Sequence, residues 1–258
     1  MKPVILIALA SLAAAGAAQA ATPPIASLEA SLRSHGVYAG PVPAGGPRLL
    51  LVSAGQHELG SRPLAAGAQG WDVAELQVAL AWHGFPSGPV DGAFGARLTS
   101  ALERFQRFAA APVNGVATAA TVAALRARPP LPAFPLAWPL LAPTGDRFGP
   151  RQDRFHEGVD LPAPTGAPAI AAAAGRVVWA GPRPGGWGNL VTIAHGQGVR
   201  TMYAHLSRVD VRVGDVVSGG TVIGLVGATG DATGPHLHFE VRVRGAAVDP
   251  LAALVSLR

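Results

Sequence analysis

Three short stretches bring together residue types that can hold a metal ion and move protons. The first, Gly234-Pro235-His236-Leu237-His238-Phe239-Glu240, sets two histidines two apart. On a β-strand side chains alternate faces, so His236, His238 and Glu240 point one way while Leu237, Phe239 and Val241 point into a core. Two imidazoles on one wall suit one metal ligand beside a neighbour that works on whatever the metal holds. The second stretch, Phe155-His156-Glu157-Gly158-Val159-Asp160-Leu161-Pro162, has a His and an Asp four apart. Gly158 and Pro162 make it a loop leading into a strand, so it is not the His-Glu-x-x-His helix, which also requires His where Asp160 stands. Imidazole nitrogen and carboxylate oxygen are both zinc donors. The third, Met202-Tyr203-Ala204-His205-Leu206, is an alternating run expected to put Thr201, Tyr203 and His205 on one face. His195 has the same local status as His205, and nothing beside it separates the two.

The joint order separates them. His156-x-x-x-Asp160, then Tyr203-Ala204-His205-Leu206, then Gly234-Pro235-His236-Leu237-His238-Phe239-Glu240, with Gly188-Asn189 and Thr229-Gly230 between, resembles the LytM-type zinc metallopeptidases of family M23, from about Pro139 to Leu251. The resemblance implies one zinc ion (Zn2+) per chain held by His156, Asp160 and His238, with His205 and His236 as the catalytic histidines and His195 structural. None of the five functional positions is substituted. Three protein ligands leave a fourth position for water, which is the mark of a catalytic zinc site. With no metalloprotease glutamate, His205 and His236 are the groups available to orient or deprotonate that water and to protonate the leaving amine. Glu240 shares their face and could hold one imidazole in its tautomer.

These residues need a scaffold. From about Trp138 onward short alternating runs are punctuated by glycines: Arg176–Ala180, Leu190–Ala194, Arg200–Leu206, Val216-Val217, Thr221–Val226 and Leu237–Val243. That pattern predicts an all-β domain of antiparallel strands over residues 140–258. Before it, prolines at 129, 130, 132, 135, 139 and 143 predict an extended spacer, assigned to 128–139. Further upstream, Asp72 and Glu75 read as a helix start, and Val73, Leu76 and Leu80 share a helical face that ends at Gly84. A second helix buries Leu98, Ala101, Leu102, Phe105 and Phe108, and Thr118 caps a third that ends near Leu125. Leu64, Asp72-Val73, Leu76-Gln77, Gly84-Phe85, Val90-Asp91-Gly92, Phe94-Gly95, Phe105-Gln106 and Gly115-Val116 resemble the helical peptidoglycan-binding domain of many cell-wall hydrolases, over residues 64–127. The expected architecture is therefore multidomain α + β, a three-helix bundle followed by an antiparallel all-β peptidase domain.

At the N-terminus, Lys2, an apolar run from Val4 to about Ala17 and Ala18-Gln19-Ala20 predict a secretory signal over 1–20, too short an apolar run for the ~20 residues of a spanning helix. Residues 26–42 echo 74–90 with a 48-residue offset, as in Leu28 and Leu76, His35 and His83, so 21–63 reads as a degenerate half-repeat or arm. A formal charge of +5 fits an anionic partner, but the arginines are scattered with no basic run, which argues against nucleic acid. Cysteine is absent, which excludes disulfides, thiolate metal sites, a cysteine nucleophile and a lipidated N-terminal cysteine. The functional expectation is a secreted zinc endopeptidase of the cell wall or periplasmic space, monomeric, acting on peptidoglycan stem peptides or cross-bridges, with no stable membrane insertion after signal cleavage. The alternatives are a non-catalytic wall-binding activator of a peptidoglycan amidase, and a carboxypeptidase or amidase on the same polymer. The latter ranks lower because the related wall carboxypeptidases space their His and Asp farther apart than 156 and 160.

Overall fold

Each run of apolar side chains closes a core in the computed structural model, which describes residues 59–127, 129–151 and 154–255. The expected leader and most of the 21–63 arm lie outside the described residues. The described residues divide into two compact units, those up to Pro129 with Gly149–Phe155 and Pro130–Phe148 with those from His156 onward. Among the described residues no helix is long and apolar enough to cross a membrane.

In the first unit three helices form, α1 (Trp71–Trp82), α2 (Ala96–Phe108) and α3 (Ala119–Leu125), and a two-stranded pair, β1 (Gly149–Arg151) with β2 (Arg154–His156), whose last residue His156 belongs to the second unit. The 3.6-residue spacing of Leu76 and Leu80, and of Leu98, Leu102 and Phe105, turns these side chains inward, where with Val122 and Leu125 they are buried. Phe85 meets Phe105 edge-on at 5.9 Å. Thr118 caps α3 as expected, accepting from the Thr121 N–H. The expected start of α1 needs correction. The cap is Gly70, without a side-chain hydrogen bond, and Asp72 lies inside the first turn. Its carboxylate is already engaged, by Arg62 Nε at 2.7 Å and by the Val73 N–H, while Glu75 accepts from Leu59 N–H at 2.8 Å. The acidic pair ties the preceding segment to the helix instead of capping it.

Two buried glutamines repeat one device. Gln77 accepts from the Asp91 and Gly92 N–H groups and donates to the Pro89 carbonyl. Gln106 accepts from the Asn114 and Gly115 N–H groups and donates to the Val116 carbonyl. In both, the glutamine oxygen takes two successive turn N–H groups and its amide also donates to the turn's Asp91 or Asn114 Oδ1, so each turn satisfies a side-chain amide that burial would otherwise leave at a cost.

The second unit is built on a sheet of seven strands. β12 (Ala246–Val248), β11 (His236–Val243), β7 (Val199–Leu206), β6 (Gly188–Gly196), β5 (Gly175–Arg183) and β9 (Val216–Val217) follow in that order, and β3 (Val159–Pro162) also pairs with β11. β4 (Pro168–Ile170), β10 (Val222–Leu225) and β8 (Arg208–Val209) make a three-stranded sheet, and a short α4 (Pro250–Ala253) lies near the C-terminus. The strands contain the expected alternating runs. Their inward faces form one core of Val159, Leu161, Val177, Val191, Ile193, Tyr203, Ile223, Leu237, Phe239 and Val241. His195, Thr201, the Tyr203 hydroxyl and the Ala172 N–H form a hydrogen-bonded chain with steps of 2.7, 2.8 and 2.8 Å. That chain wires His195 into the core wall. The proline-rich stretch does not run free of this unit: Leu136 is fully buried in the core and the Ala137 N–H reaches the Ala172 carbonyl. The other face of the large sheet carries Leu190, Met202 and Ala204 under Trp187. This face holds the site.

Candidate active site

Strand pairing delivers the site residues to one place. β11 pairs with β3 so that His238 stands opposite Asp160 and His236 opposite Pro162. His236, His238 and Glu240 share one face of β11 as expected, and Leu237, Phe239 and Val241 are fully buried on the other. His156 ends β2, and Gly158 lets the following turn press on β11. A Cβ on Gly158 would lie 2.5 Å from the Phe239 carbonyl oxygen and 2.8 Å from the His238 ring, so the approach requires glycine.

His205 corrects the expected alternation. Thr201 and Tyr203 face the core, yet His205 lies against His236 with ring centroids 4.7 Å apart. Its φ is 62°, and the β6–β7 register shifts there, so that Ala204 and His205 together oppose Leu190. This bulge turns the His205 side chain from the core face to the site face. Its carrier is a loop pair: Thr229 Oγ1 accepts from Asn189 N–H and donates to the Leu206 carbonyl, and the Thr229 carbonyl takes the His205 Nδ1–H at 2.8 Å. Gly188, at φ 60°, passes so near Thr229 that a Cβ there would overlap it. Gly188-Asn189 and Thr229-Gly230, which the sequence offers only as points of resemblance, thus have a physical task in fixing His205.

The tautomers follow from acceptors that cannot donate. His156 Nδ1–H donates to the Arg147 carbonyl (2.9 Å), which leaves its Nε2 as a lone pair. His238 Nε2–H donates to Glu240 Oε1 (3.2 Å), which leaves Nδ1 as a lone pair. These two lone pairs and Asp160 Oδ1 converge, with mutual distances of 2.8, 3.0 and 3.2 Å. Three converging lone pairs repel unless a cation lies among them. Two nitrogens and one carboxylate oxygen, within 4.8 Å of one another, form a donor set of the kind zinc takes. His236 and His205 stand apart from this convergence. His236 Nδ1–H is held by the Gly234 carbonyl at 2.8 Å, and His205 Nδ1–H by Thr229, so in the neutral tautomer of each ring the lone pair lies on Nε2. His236 Nε2 lies 3.7 Å from Asp160 Oδ1, and the His205 ring is 5.8 Å from that of His238. All five residues expected from sequence are therefore in one site.

Where no metal ion lies among these groups, a proton takes its place. Burial alone would raise the Asp160 carboxyl, but the polar contacts and positive charge of the adjacent His156 and His238 imidazoles hold it well below the usual carboxylate range. Burial alone would lower His238, yet its bonds to Asp160 and Glu240 push it up to about 9, so in the metal-free chain Nδ1 holds a proton toward Asp160 at neutral pH, and a bound cation must displace that proton to reach the lone pair. Burial pushes His205 below its ordinary value, against the weaker pull of the Thr229 carbonyl, so it is neutral at pH 7. Behind His238 lies a second set of charges. Glu240, 1% exposed, takes Arg242 Nε at 2.7 Å, and Arg242 reaches Glu157 at 3.0 Å. Burial would raise the Glu240 carboxyl, and the His238 bond and the Arg242 charge hold it down. Arg242 and Glu157 were missed from sequence. Period-two alternation beyond Glu240 points to Arg242, whereas nothing local marks Glu157.

Residues 154–250 match the model of peptidase family M23, and residues 69–125 match that of a peptidoglycan binding domain. The DD-carboxypeptidase/endopeptidase Mpg of Neisseria meningitidis is 50% identical over 99 residues, covering 38% of this chain and 23% of Mpg. The peptidoglycan DD-endopeptidase ShyB of Vibrio cholerae is 43% identical over 98 residues, covering 38% and 23%. A solved zinc containing peptidase from Vibrio cholerae is 34% identical, covering 48% of this chain and 41% of that one, with a TM-score of 0.44. The chain spans about a quarter of the length of these curated relatives. Residues 154–250 are thus a domain of peptidase family M23, and the same chain carries a peptidoglycan binding domain at residues 69–125.

Proposed function

We propose that the chain is an exported zinc endopeptidase that hydrolyses peptide bonds in the stem peptides or cross-bridges of peptidoglycan, with residues 64–127 attaching it to the wall. The observation that carries this reading is the split among five clustered residues. His156, Asp160 and His238 turn lone pairs onto one point, while His205 and His236 keep Nε2 free beside it. The M23 match and the names of Mpg and ShyB support the reaction and the polymer.

Zinc held by His156, Asp160 and His238 would polarise the scissile carbonyl and bring the pKa of water from ~15.7 toward ~7. The remaining steps belong to the chain. One Nε2 of the His205–His236 pair accepts the proton of the attacking water, and the imidazolium so formed returns it to the departing amine nitrogen as the C–N bond breaks. The Thr229 and Gly234 carbonyls keep both rings in the Nδ1–H tautomer throughout, so neither base turns away between turnovers. Trp187, edge-on to His238 with ring centroids 5.7 Å apart, walls one side of the site.

A second reading, removal of a terminal residue, is favoured by the carboxypeptidase half of the name Mpg. Mass spectrometry of purified sacculi treated with zinc-loaded protein, with and without chelator, separates the two. Chelator-sensitive new peptide ends within cross-links support the endopeptidase, release of a free terminal amino acid supports the second reading, and a digest identical to the untreated control rejects both.

A further inference from the structure

The face of the sheet that carries the metal cluster extends past it to an arginine no step above uses. Register places Trp179 opposite Thr192, Thr192 opposite Met202 and Met202 opposite Glu240, so Trp179 shares the side of the sheet on which His238 and Glu240 stand. Arg183, at the end of the same strand, lies over the Trp179 ring with its guanidinium carbon 5.2 Å from the centroid, and over the Trp187 ring at 5.9 Å. Trp187 is the residue whose ring edge meets His238 at 5.7 Å.

Arg183 is exposed, and among the described residues its guanidinium forms no ion pair and no hydrogen bond. Two indoles hold the guanidinium by cation–π attraction, and its N–H groups have no hydrogen-bond partner among the described residues. A guanidinium held in place without a carboxylate is prepared for one that arrives, because its planar fork takes both oxygens of a carboxylate at once. We propose that Arg183, seated on Trp179 and Trp187, is a binding subsite for a free carboxylate of the substrate peptide. The span from Arg183 to His238 is two ring contacts, the reach of about three to four extended residues at ~3.4 Å each. The recognised carboxylate therefore lies within that distance of the cleaved bond. Stem peptides that contain γ-linked glutamate or a diamino diacid carry a free carboxylate on the backbone carbon itself, where an ordinary α-linked residue has an amide. The inference rests on the proposed peptidoglycan reading and adds a specificity element to it.

The test compares two soluble cross-linked muropeptides, one with free carboxylates and one with the same carboxylates amidated, against wild type and Arg183→Met. Methionine keeps apolar contact with the indoles and removes the charge. Wild type is expected to lose ~10-fold or more in kcat/KM on amidation, the scale of one hydrogen-bonded charge pair, and Arg183→Met to show the lower value on both substrates with unchanged zinc content. Singly amidated muropeptides tell the glutamyl carboxylate from that of the diamino acid. Equal discrimination by both proteins overturns the subsite while leaving the peptidase reading intact. Calorimetric binding of the same muropeptides to the zinc-loaded protein covers the other case. If wild type cleaves neither muropeptide, a charge preference in binding that Arg183→Met abolishes upholds the subsite alone, and no such preference overturns it.

Discussion

Glu240→Gln isolates what the buried carboxylate does for the metal. The amide has nearly the volume of the acid and can still accept from His238 Nε2, now 3.2 Å from Glu240 Oε1, so the shape of the site is kept and the charge removed. A charged acceptor makes a hydrogen bond roughly twice as strong as a neutral one, and it raises the basicity of the nitrogen across the ring. Loss of such support costs ~10–100-fold in metal affinity. The same change deprives Arg242 of the closer of its two carboxylate partners, 2.7 Å against 3.0 Å for Glu157. With Glu157 retained, the loss of stability should fall toward the lower end of the ~3–5 kcal/mol typical of a broken buried pair. The assays are zinc competition against a chromophoric chelator and denaturant unfolding of the metal-free chain. Adding Arg242→Met should recover stability, because no unpaired cation remains, and should leave zinc affinity low. A folded Glu240→Gln protein that binds zinc as wild type does would refute the argument that this carboxylate fixes His238.

Other outcomes follow from neighbouring parts of the site. The pH profile of kcat/KM should rise through an acid limb whose midpoint lies below the ordinary imidazole value of ~6.5, since burial lowers His205 and only its neutral form accepts a proton. In His205→Ala the remaining rate should be down ~100-fold or more, without that limb and with zinc still bound. Gly158→Ala should weaken zinc binding and cost ~1–3 kcal/mol, because its Cβ would press on the Phe239 carbonyl and the His238 ring. Calorimetric unfolding with and without zinc checks both effects, and wild-type behaviour in both would contradict the close packing. Deleting residues 64–127 should weaken binding to sacculi and spare hydrolysis of a soluble muropeptide, since tethering raises local concentration without adding contacts at the reacting bond. Equal loss of both activities would count against that division.

The strands of the second unit are legible because each is an alternating run closed by glycine. The same rule places His236, His238 and Glu240 on one face. The rule fails at His205, where a left-handed residue inside a strand reverses the side chain. Alternation holds only while every residue is extended, and bulge positions depend on the partner strand. Asp72 misleads for a related reason: an acid near a helix start has the composition of a cap, but Arg62, ten residues earlier, claims it. The pairing of Arg242 with Glu157 joins residues 85 apart in the chain and emerges only once Gly158 brings the turn onto β11. The helix faces, by contrast, needed no long-range knowledge, since Leu76, Leu80, Leu98, Leu102 and Phe105 are buried as their spacing requires.

The division between metal holding and proton transfer is most directly tested by measuring zinc content and sacculus cleavage together in His236→Ala and His238→Ala. The account predicts about one zinc per chain and no cleavage for the first, and neither zinc nor cleavage for the second. A His238→Ala protein that retains its zinc, or a His236→Ala protein that cleaves at the wild-type rate, would contradict it.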